Sequence, residues 1–403
     1  MRHALSPLVL ALCGMGLWSA AAQAQTFKEP DTVKIGFITD MSSLYADVEG
    51  KNGAVAIQMA IDDFGGKLLG KPIELLTADH QNKADIAASK AREWIDQQDI
   101  SLVFGGTNSA TALAMAKVAQ EKKRIFVDNG AGSSALTNEQ CSPYTVHYAF
   151  DTVALAKGTG KAVVEAGGKS WFFLTADYAF GHALEADTSK IVEANGGKVV
   201  GAVRTPLNAS DFSSFMLQAQ NSKAQILGLA NAGGDTVNSI KAAKEFGVTK
   251  TMKLAGLLVF FSDIHSLGVK NTEGMQFTAP WYWDMNAESR AFADKFMAKT
   301  KRRPSEIQAA DYSATMTWLQ AAQRAGTLEA DKVMAEWKSK PIKDFFGEGV
   351  IRPDGRYAHD MYLMEVKSPA ESKGTWDYYK LVKKLPADQV WTTKAESKCQ
   401  YWK

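Results

Sequence analysis

Short apolar runs alternate along this chain with longer stretches in which apolar residues recur every three or four positions. The runs at 33–38, 72–78, 102–104 and 124–127 predict buried parallel strands. Between the first two runs a helix is predicted over 52–64. It carries Ala54, Ile57, Ala60 and Ile61 on one face and is closed by Gly65-Gly66. A second helix is predicted over 83–97. A third follows Thr107, Asn108 and Ser109, each able to cap it, with Ala112, Met115, Ala116 and Ala119 at helical spacing. Strand and helix in strict alternation imply a parallel, doubly wound sheet.

After a helix over 155–165 the same unit begins again. Strands are predicted at 170–175, 199–203 and 226–230, and helices at 184–194, 211–220 and 236–246. Further strands are expected at 252–260 and 275–278, and further helices at 289–299 and 306–324. Pro353-Asp354-Gly355 marks a turn between 349–351 and 357–366, hence a hairpin. No Pro- or Ser-rich linker parts the two halves. The predicted fold is α/β, two doubly wound Rossmann-like lobes joined by a hinge of three crossings near 148–152, 256–260 and 346–350. Lobe 1 then comprises 25–149 with 258–347, and lobe 2 comprises 150–257 with 348–403.

Candidate chemistry sits where the strands end. Gly105-Gly106-Thr107-Asn108-Ser109 and the loop from Asp128 through Gly130, Gly132 and Ser133 to Ser134 bring small hydroxyl and glycine residues to one sheet edge. Ligands of open α/β sheets bind beyond the strands' carboxyl ends, and free N–H groups at a helix start favour an anion. The pattern suits a cradle for a small carboxylate, although two ordinary strand-to-helix turns would read the same way. Residues 130–135 also fit the glycine pattern of a dinucleotide site. That site needs a long helix directly afterwards, whereas here the chain turns and reaches Pro143, so no dinucleotide cofactor is expected. Tyr178 and Phe180 lie in a second strand-end loop, Asp235 opens a helix, and Trp281 and Trp283 flank Tyr282 at a strand end. Core packing or capping would equally account for each of these.

Composition narrows the function. Lys and Arg number 46 against 44 Asp and Glu in 403 residues, which gives no reason to expect a nucleic-acid partner. Arg2 and His3, then an apolar stretch over 5–20 and Ala22-Gln23-Ala24, read as a leader cleaved after Ala24. The stretch is short for a membrane anchor, and no basic cluster follows it. Export to the periplasm, with no membrane insertion of the mature chain, is the expectation. Cys141 and Cys399 then remain as a candidate disulfide. The five histidines after the leader, His80, His147, His182, His265 and His359, show no metal-ligand spacing, and no nucleophile elbow or phosphate loop is present. Neither a metal, a cofactor nor a catalytic set is expected.

With these residues placed, the chain resembles the solute-binding proteins of ABC transporters, and within them the branched-chain amino-acid-binding group of type I periplasmic binding proteins. The stretches that carry the resemblance begin at Val33, Phe104, Trp171 and Leu227 and cover the strand-end loops above. The resemblance implies that Ser109 binds a ligand carboxylate and that Gly130 offers a main-chain carbonyl to a ligand ammonium. It implies that Asp235 holds the same ammonium and that Phe180 closes over the ligand. Gly132 falls where the amino-acid binders carry a threonine, so a ligand-binding hydroxyl is missing here. Trp283 and the 43–45 loop with Tyr45 match an aromatic wall, and Tyr45, Tyr178 and Phe180 would suit a ring. The expected function is a receptor that takes a small carboxylate-bearing solute, an amino acid, an amide or an aromatic acid, to the permease of an ABC importer. A ligand sensor of the same fold, feeding a regulator or chemoreceptor, is the alternative.

Overall fold

The computed structural model describes Met1 and residues 27–403, so the expected leader lies, but for Met1, outside the described residues. The first sheet is built from β1 (Val33–Thr39), β2 (Lys67–Leu68), β3 (Lys71–Asp79), β4 (Leu102–Gly105), β5 (Ile125–Asp128) and β6 (Thr145–His147). Its order is β2-β3-β1-β4-β5-β6, with β2 antiparallel to β3 and the others parallel. β4 and β5 are buried along their whole length, as apolar runs without alternation demand. Helices α1 (Gly50–Phe64), α2 (Ala84–Gln98) and α3 (Ser109–Glu121) make the crossovers. The strand order reverses at β1, whose neighbours are β3 and β4, and this creates a crevice at the carboxyl edge.

The second sheet repeats the plan. The short helices α4 (Thr152–Leu155) and α5 (Lys161–Glu165) lead to β7 (Ser170–Ala176), α6 (Ala179–Ala194), β8 (Lys198–Thr205), α7 (Ser213–Asn221), β9 (Ile226–Ala230), α8 (Gly234–Glu245) and β10 (Lys253–Gly256). The order β10-β9-β7-β8, all parallel, reverses at β7. Helices α9 (Phe261–Leu267) and α10 (Val269–Thr272) and strand β11 (Gln276–Ala279) follow. Then come α11 (Ala287–Thr300), α12 (Glu306–Ala325), α13 (Ala330–Ser339), and strands β12 (Ile342–Lys343), β13 (Glu348–Ile351) and β14 (Tyr357–His359). The chain ends with β15 (Met361–Val366), β16 (Tyr379–Leu385) and α14 (Ala387–Val390). α12 starts at a reciprocal cap, Ser305 Oγ accepting from the Gln308 N–H and Gln308 Oε1 from the Ser305 N–H. It packs along α1, which places it in lobe 1.

The lobe boundaries differ from those expected. β11 pairs with β15, Phe277 opposite Met364, and β15 with β16, so 276–279 belongs with the tail rather than with lobe 1. α9 packs on α8 of lobe 2. The second crossing is therefore at 280–286, not 256–260. Here successive side chains enter opposite lobes. Trp281 packs on Phe292 and Phe345 of lobe 1, and Tyr282 on Tyr379 of lobe 2. The expected hairpin forms between β13 and β14, but its second strand breaks at Asp360. Up to His359 it stays with lobe 1, where Arg356 bridges to His147, and from Met361 it joins lobe 2. The third crossing is therefore at 360 rather than 346–350. An unbroken strand could not serve two sheets that must rotate against each other.

The tail returns once more. Cys399 is bonded to Cys141 of lobe 1, with Cα atoms 5.6 Å apart. Lys157 of lobe 2 donates to the Trp391 carbonyl, and Arg352 of lobe 1 to the Thr392 carbonyl, so this segment spans both lobes. The disulfide closes a sequence separation of 258 residues. Replacing both cysteines by alanine is expected to cost up to roughly 5 kcal/mol through chain entropy. Calorimetric unfolding of the double variant at the wild-type temperature would show that the bond contributes nothing.

Candidate functional site

Each sheet delivers its carboxyl-edge loops to one cleft. At the end of β1, the Asp40 carboxylate gathers the N–H groups of Ser42, Ser43 and Tyr45, at 3.3, 2.8 and 2.9 Å, and so fixes Tyr45 in a buried position. At the end of β4, Gly105 has φ 118°, and a Cβ there would lie 2.3 Å from the Ile38 carbonyl oxygen. Glycine is required, and it turns the chain so that Thr107 and Ser109 open α3. Asn108 caps that helix by accepting from the Ala110 N–H at 2.7 Å.

After β5 the 128–134 loop is held from below. Asp128 Oδ1 accepts from the Ala131 N–H at 3.2 Å, and the Ala131 carbonyl accepts from His147 Nε2 at 2.7 Å. The Gly132 carbonyl accepts from the Thr152 N–H, which ties the loop to the first crossing. Burial drives the His147 pKa well down, so the ring is neutral. Its Nδ1 takes a hydrogen bond from the Arg356 guanidinium, which leaves the proton on Nε2. The Ser133 N–H donates to Ser109 Oγ at 3.1 Å. That oxygen thus already accepts, and its own proton is free to be donated into the cleft.

Lobe 2 supplies the other wall. α6 begins at Ala179, earlier than predicted, so Tyr178 is its N-cap and Phe180 lies in its first turn. The cavity between the lobes is lined by Tyr45, Thr107, Ser109, Gly130, Gly132, Tyr178, Phe180, Ala232, Leu258 and Phe260. It spans about 210 Å³ of space, open in part to solvent, and residues of both lobes meet across it. The Tyr45 and Tyr178 hydroxyls meet at 2.7 Å across the cleft, one from each lobe. Burial pushes both phenols above their ordinary pKa, which keeps both as proton donors. Gly132 permits this closure: a Cβ there would stand 2.8 Å from the rings of Phe150 and Phe180.

Six of the residues singled out in the sequence, Tyr45, Ser109, Gly130, Gly132, Tyr178 and Phe180, meet at this cavity, and Ser133 stands behind Ser109. Asp235 is not among the lining residues. Its Oδ2 accepts from the Asn208 N–H at 3.1 Å, its Oδ1 has no partner, and it acts electrostatically on Tyr45 and Tyr178. Burial pushes its carboxyl up to about 6. The assignment of Trp283 to the ligand wall does not hold. Its ring lies 4.2 Å from the Arg303 guanidinium and its Nε1 donates to the Trp376 carbonyl at 2.8 Å, on the second crossing. Leu258 and Phe260 were missed because 252–260 read as one strand. β10 stops at Gly256, and the apolar run continues over the cavity. Thr107 was legible as a cap but not as a lining residue.

A family model described as periplasmic binding protein matches residues 32–375. A periplasmic binding protein of Burkholderia mallei, solved as a crystal structure, is 65% identical, with TM-score 0.92 over 93% of this chain and 100% of that one. A branched chain amino acid ABC transporter periplasmic ligand-binding protein of Burkholderia xenovorans is 37% identical, with TM-score 0.83 over 92% of this chain and 100% of that one. A solute binding protein of an ABC transporter from Rhodopseudomonas palustris, in complex with p-hydroxybenzoic acid, is 26% identical, with TM-score 0.80 over 89% of this chain and 98% of that one.

Two outcomes follow from this geometry. Gly132→Ala is expected to prop the lobes apart and to weaken solute binding about five- to 150-fold, since overpacking of this kind costs roughly 1–3 kcal/mol. X-ray scattering and titration calorimetry would record the two effects; a variant that closes and binds like wild type would remove the steric role of Gly132. For Asp235, the folded pKa of about 6 exceeds the ordinary 3.8, so the folded state holds the extra proton. Stability is then fully present below about pH 4 and falls as pH rises through 6, by at most about 3 kcal/mol. Urea unfolding across that range should show the slope, and Asp235→Asn should flatten it.

Proposed function

The chain belongs to the periplasmic binding protein family, whose members are non-enzymatic solute receptors, and we propose that it closes on a small monocarboxylate and presents it to the permease of an ABC importer. On this reading the leader ending at Ala24 exports it, and the solute is a carboxylic acid with an apolar or aromatic body. The observation that carries the proposal is the polarity of the cavity. One end offers the free Ser109 proton and the 130–133 loop, and the remainder is rings and methyl groups from Tyr45, Tyr178, Phe180, Ala232, Leu258 and Phe260. No lining residue is a carboxylate. An ammonium buried there would find no carboxylate among the lining residues, and Asp235, its carboxyl pushed up to about 6, stands outside them. The Tyr45–Tyr178 hydroxyl pair keeps one proton free, suited to a polar group at the far end of a ring. The complex of the Rhodopseudomonas palustris relative with p-hydroxybenzoic acid supports this choice, and the absence of a hydroxyl at Gly132 supports it against an α-amino acid.

A thermal-shift screen with benzoate, 4-hydroxybenzoate and leucine tests the proposal. The aromatic acids should raise the melting temperature and leucine should not. Ser109→Ala should weaken the bound acid by roughly 1–3 kcal/mol, the range for a hydrogen bond to a charged group. Affinity for an acid without an amine should be nearly flat around pH 6. An ammonium seated against Asp235 would instead need the carboxylate form, so affinity would climb as pH rises through 6. Leucine binding with that climb would sink the aromatic-acid reading while leaving the receptor in place.

A further inference from the structure

Behind the lobe 1 half of the cavity lies a pair of acids with no cation between them. Glu49, the N-cap of α1, and Asp311, on α12, are both fully buried. Glu49 Oε2 accepts from the hydroxyls of Thr39 and Thr107, the latter at 2.6 Å. Asp311 Oδ1 accepts from Asn129 Nδ2 at 2.7 Å. The two remaining oxygens, Glu49 Oε1 and Asp311 Oδ2, are buried without a hydrogen-bond partner, and both side chains converge over Gly53, where a Cβ would stand 3.0 Å from Glu49 Cγ. Room for them comes from Gly53, where a Cβ would stand 2.6 Å from Asp311 Oδ2. The other charged groups felt by the pair are Asp40 and Asp128, both acids. The guanidinium of Arg356 is paired with Asp151.

Two bare carboxylates cannot share such a site, because both are buried from solvent and, among the described residues, neither is paired with a Lys, Arg or His. We propose that Glu49 and Asp311 share a single proton, and that this bridge is a positioning device for the solute loops of lobe 1. The bridge reaches three strand ends at once. Thr39 ends β1, Thr107 follows β4 and lines the cavity, and Asn129 follows β5 and precedes Gly130. Burial pushes both carboxyls up, so a single proton stays between the two groups, donated by one to the other. With Thr39 and Thr107 donating to Glu49 and Asn129 to Asp311, that proton fills the remaining place in the cluster. Since the folded state holds a proton that the unfolded chain releases, stability falls as pH rises above the ordinary carboxyl range, tenfold in the folding equilibrium per pH unit for one proton.

The experiment needs no ligand. Either single amide, Glu49→Gln or Asp311→Asn, still provides one donor and one acceptor across the bridge. Both variants are expected to fold, to lose that part of the alkaline slope in urea unfolding, and to keep the amide resonances of Thr107, Asn129 and Gly130 near their wild-type positions. In wild type those resonances should move together as the proton is lost. The double amide places donor against donor, so it should be less stable than either single variant. A double variant as stable as the singles, or single variants with the wild-type pH slope and moving resonances, would overturn the proposal.

Discussion

One buried guanidinium holds the hinge and the binding loop in a common frame. Arg356 is fully buried, which by itself is costly enough to draw its pKa down to about 10. Its partners gather on the Nη2 side, while Nε and Nη1 are buried without a hydrogen-bond acceptor. It pairs with Asp151 at 3.2 Å, donates to the Phe150 carbonyl at 3.2 Å and to His147, and lies 4.6 Å from the Trp391 ring. Asp151 and Phe150 lie on the first crossing, Arg356 on the strand that feeds the third, and Trp391 on the returning tail. Through His147 the same group reaches the Ala131 carbonyl, in the middle of the solute loop. Removing Asp151 would leave the guanidinium without its ion-pair partner in a dry interior.

The closed cleft follows from that frame. With the 128–134 loop fixed, Ser109 accepts from the Ser133 N–H and lines the cavity. With the first crossing fixed, Phe150 occupies the space beside residue 132, and only a glycine there lets Phe180 approach from lobe 2. Tyr45 and Tyr178 then come within hydrogen-bond distance of each other. The shape of the cleft thus depends on a missing side chain as much as on those present. The same logic applies beneath the site, where Gly53 makes room for the acid pair.

Much of this was legible along the chain. Apolar runs bounded by glycine and capping residues have only one economical packing, a parallel sheet covered by helices, so the two lobes and their strand-end loops could be read from period alone. Ser109, Gly130, Gly132, Phe180, Tyr45 and Tyr178 were legible for the same reason: a residue at a strand's carboxyl end faces the crevice whatever the rest of the sheet does. Of the three cysteines, Cys13 lies in the expected leader, and Cys141 and Cys399 are bonded.

What the sequence did not determine depends on contacts between distant segments. Whether 276–279 joins lobe 1 or lobe 2 turns on a partner strand some eighty residues later, since Phe277 pairs with Met364. The break at Asp360 and the opposite burial of Trp281 and Tyr282 are invisible to local pattern, because a hinge strand looks like any other strand until its two sheets are known. Trp283 reads as a ligand wall from its neighbours in sequence, and tertiary structure gives it to Arg303 instead. Glu49, Asp311, Arg356 and His147 carried no signal at all. A buried charge is recognisable only when its partners are in place, and His147 and Phe150 lie 209 and 206 residues from Arg356, while Thr107 lies 58 residues from Glu49. Local propensity is set by nearest neighbours along the chain, whereas the satisfaction of a buried polar group is set by neighbours in space.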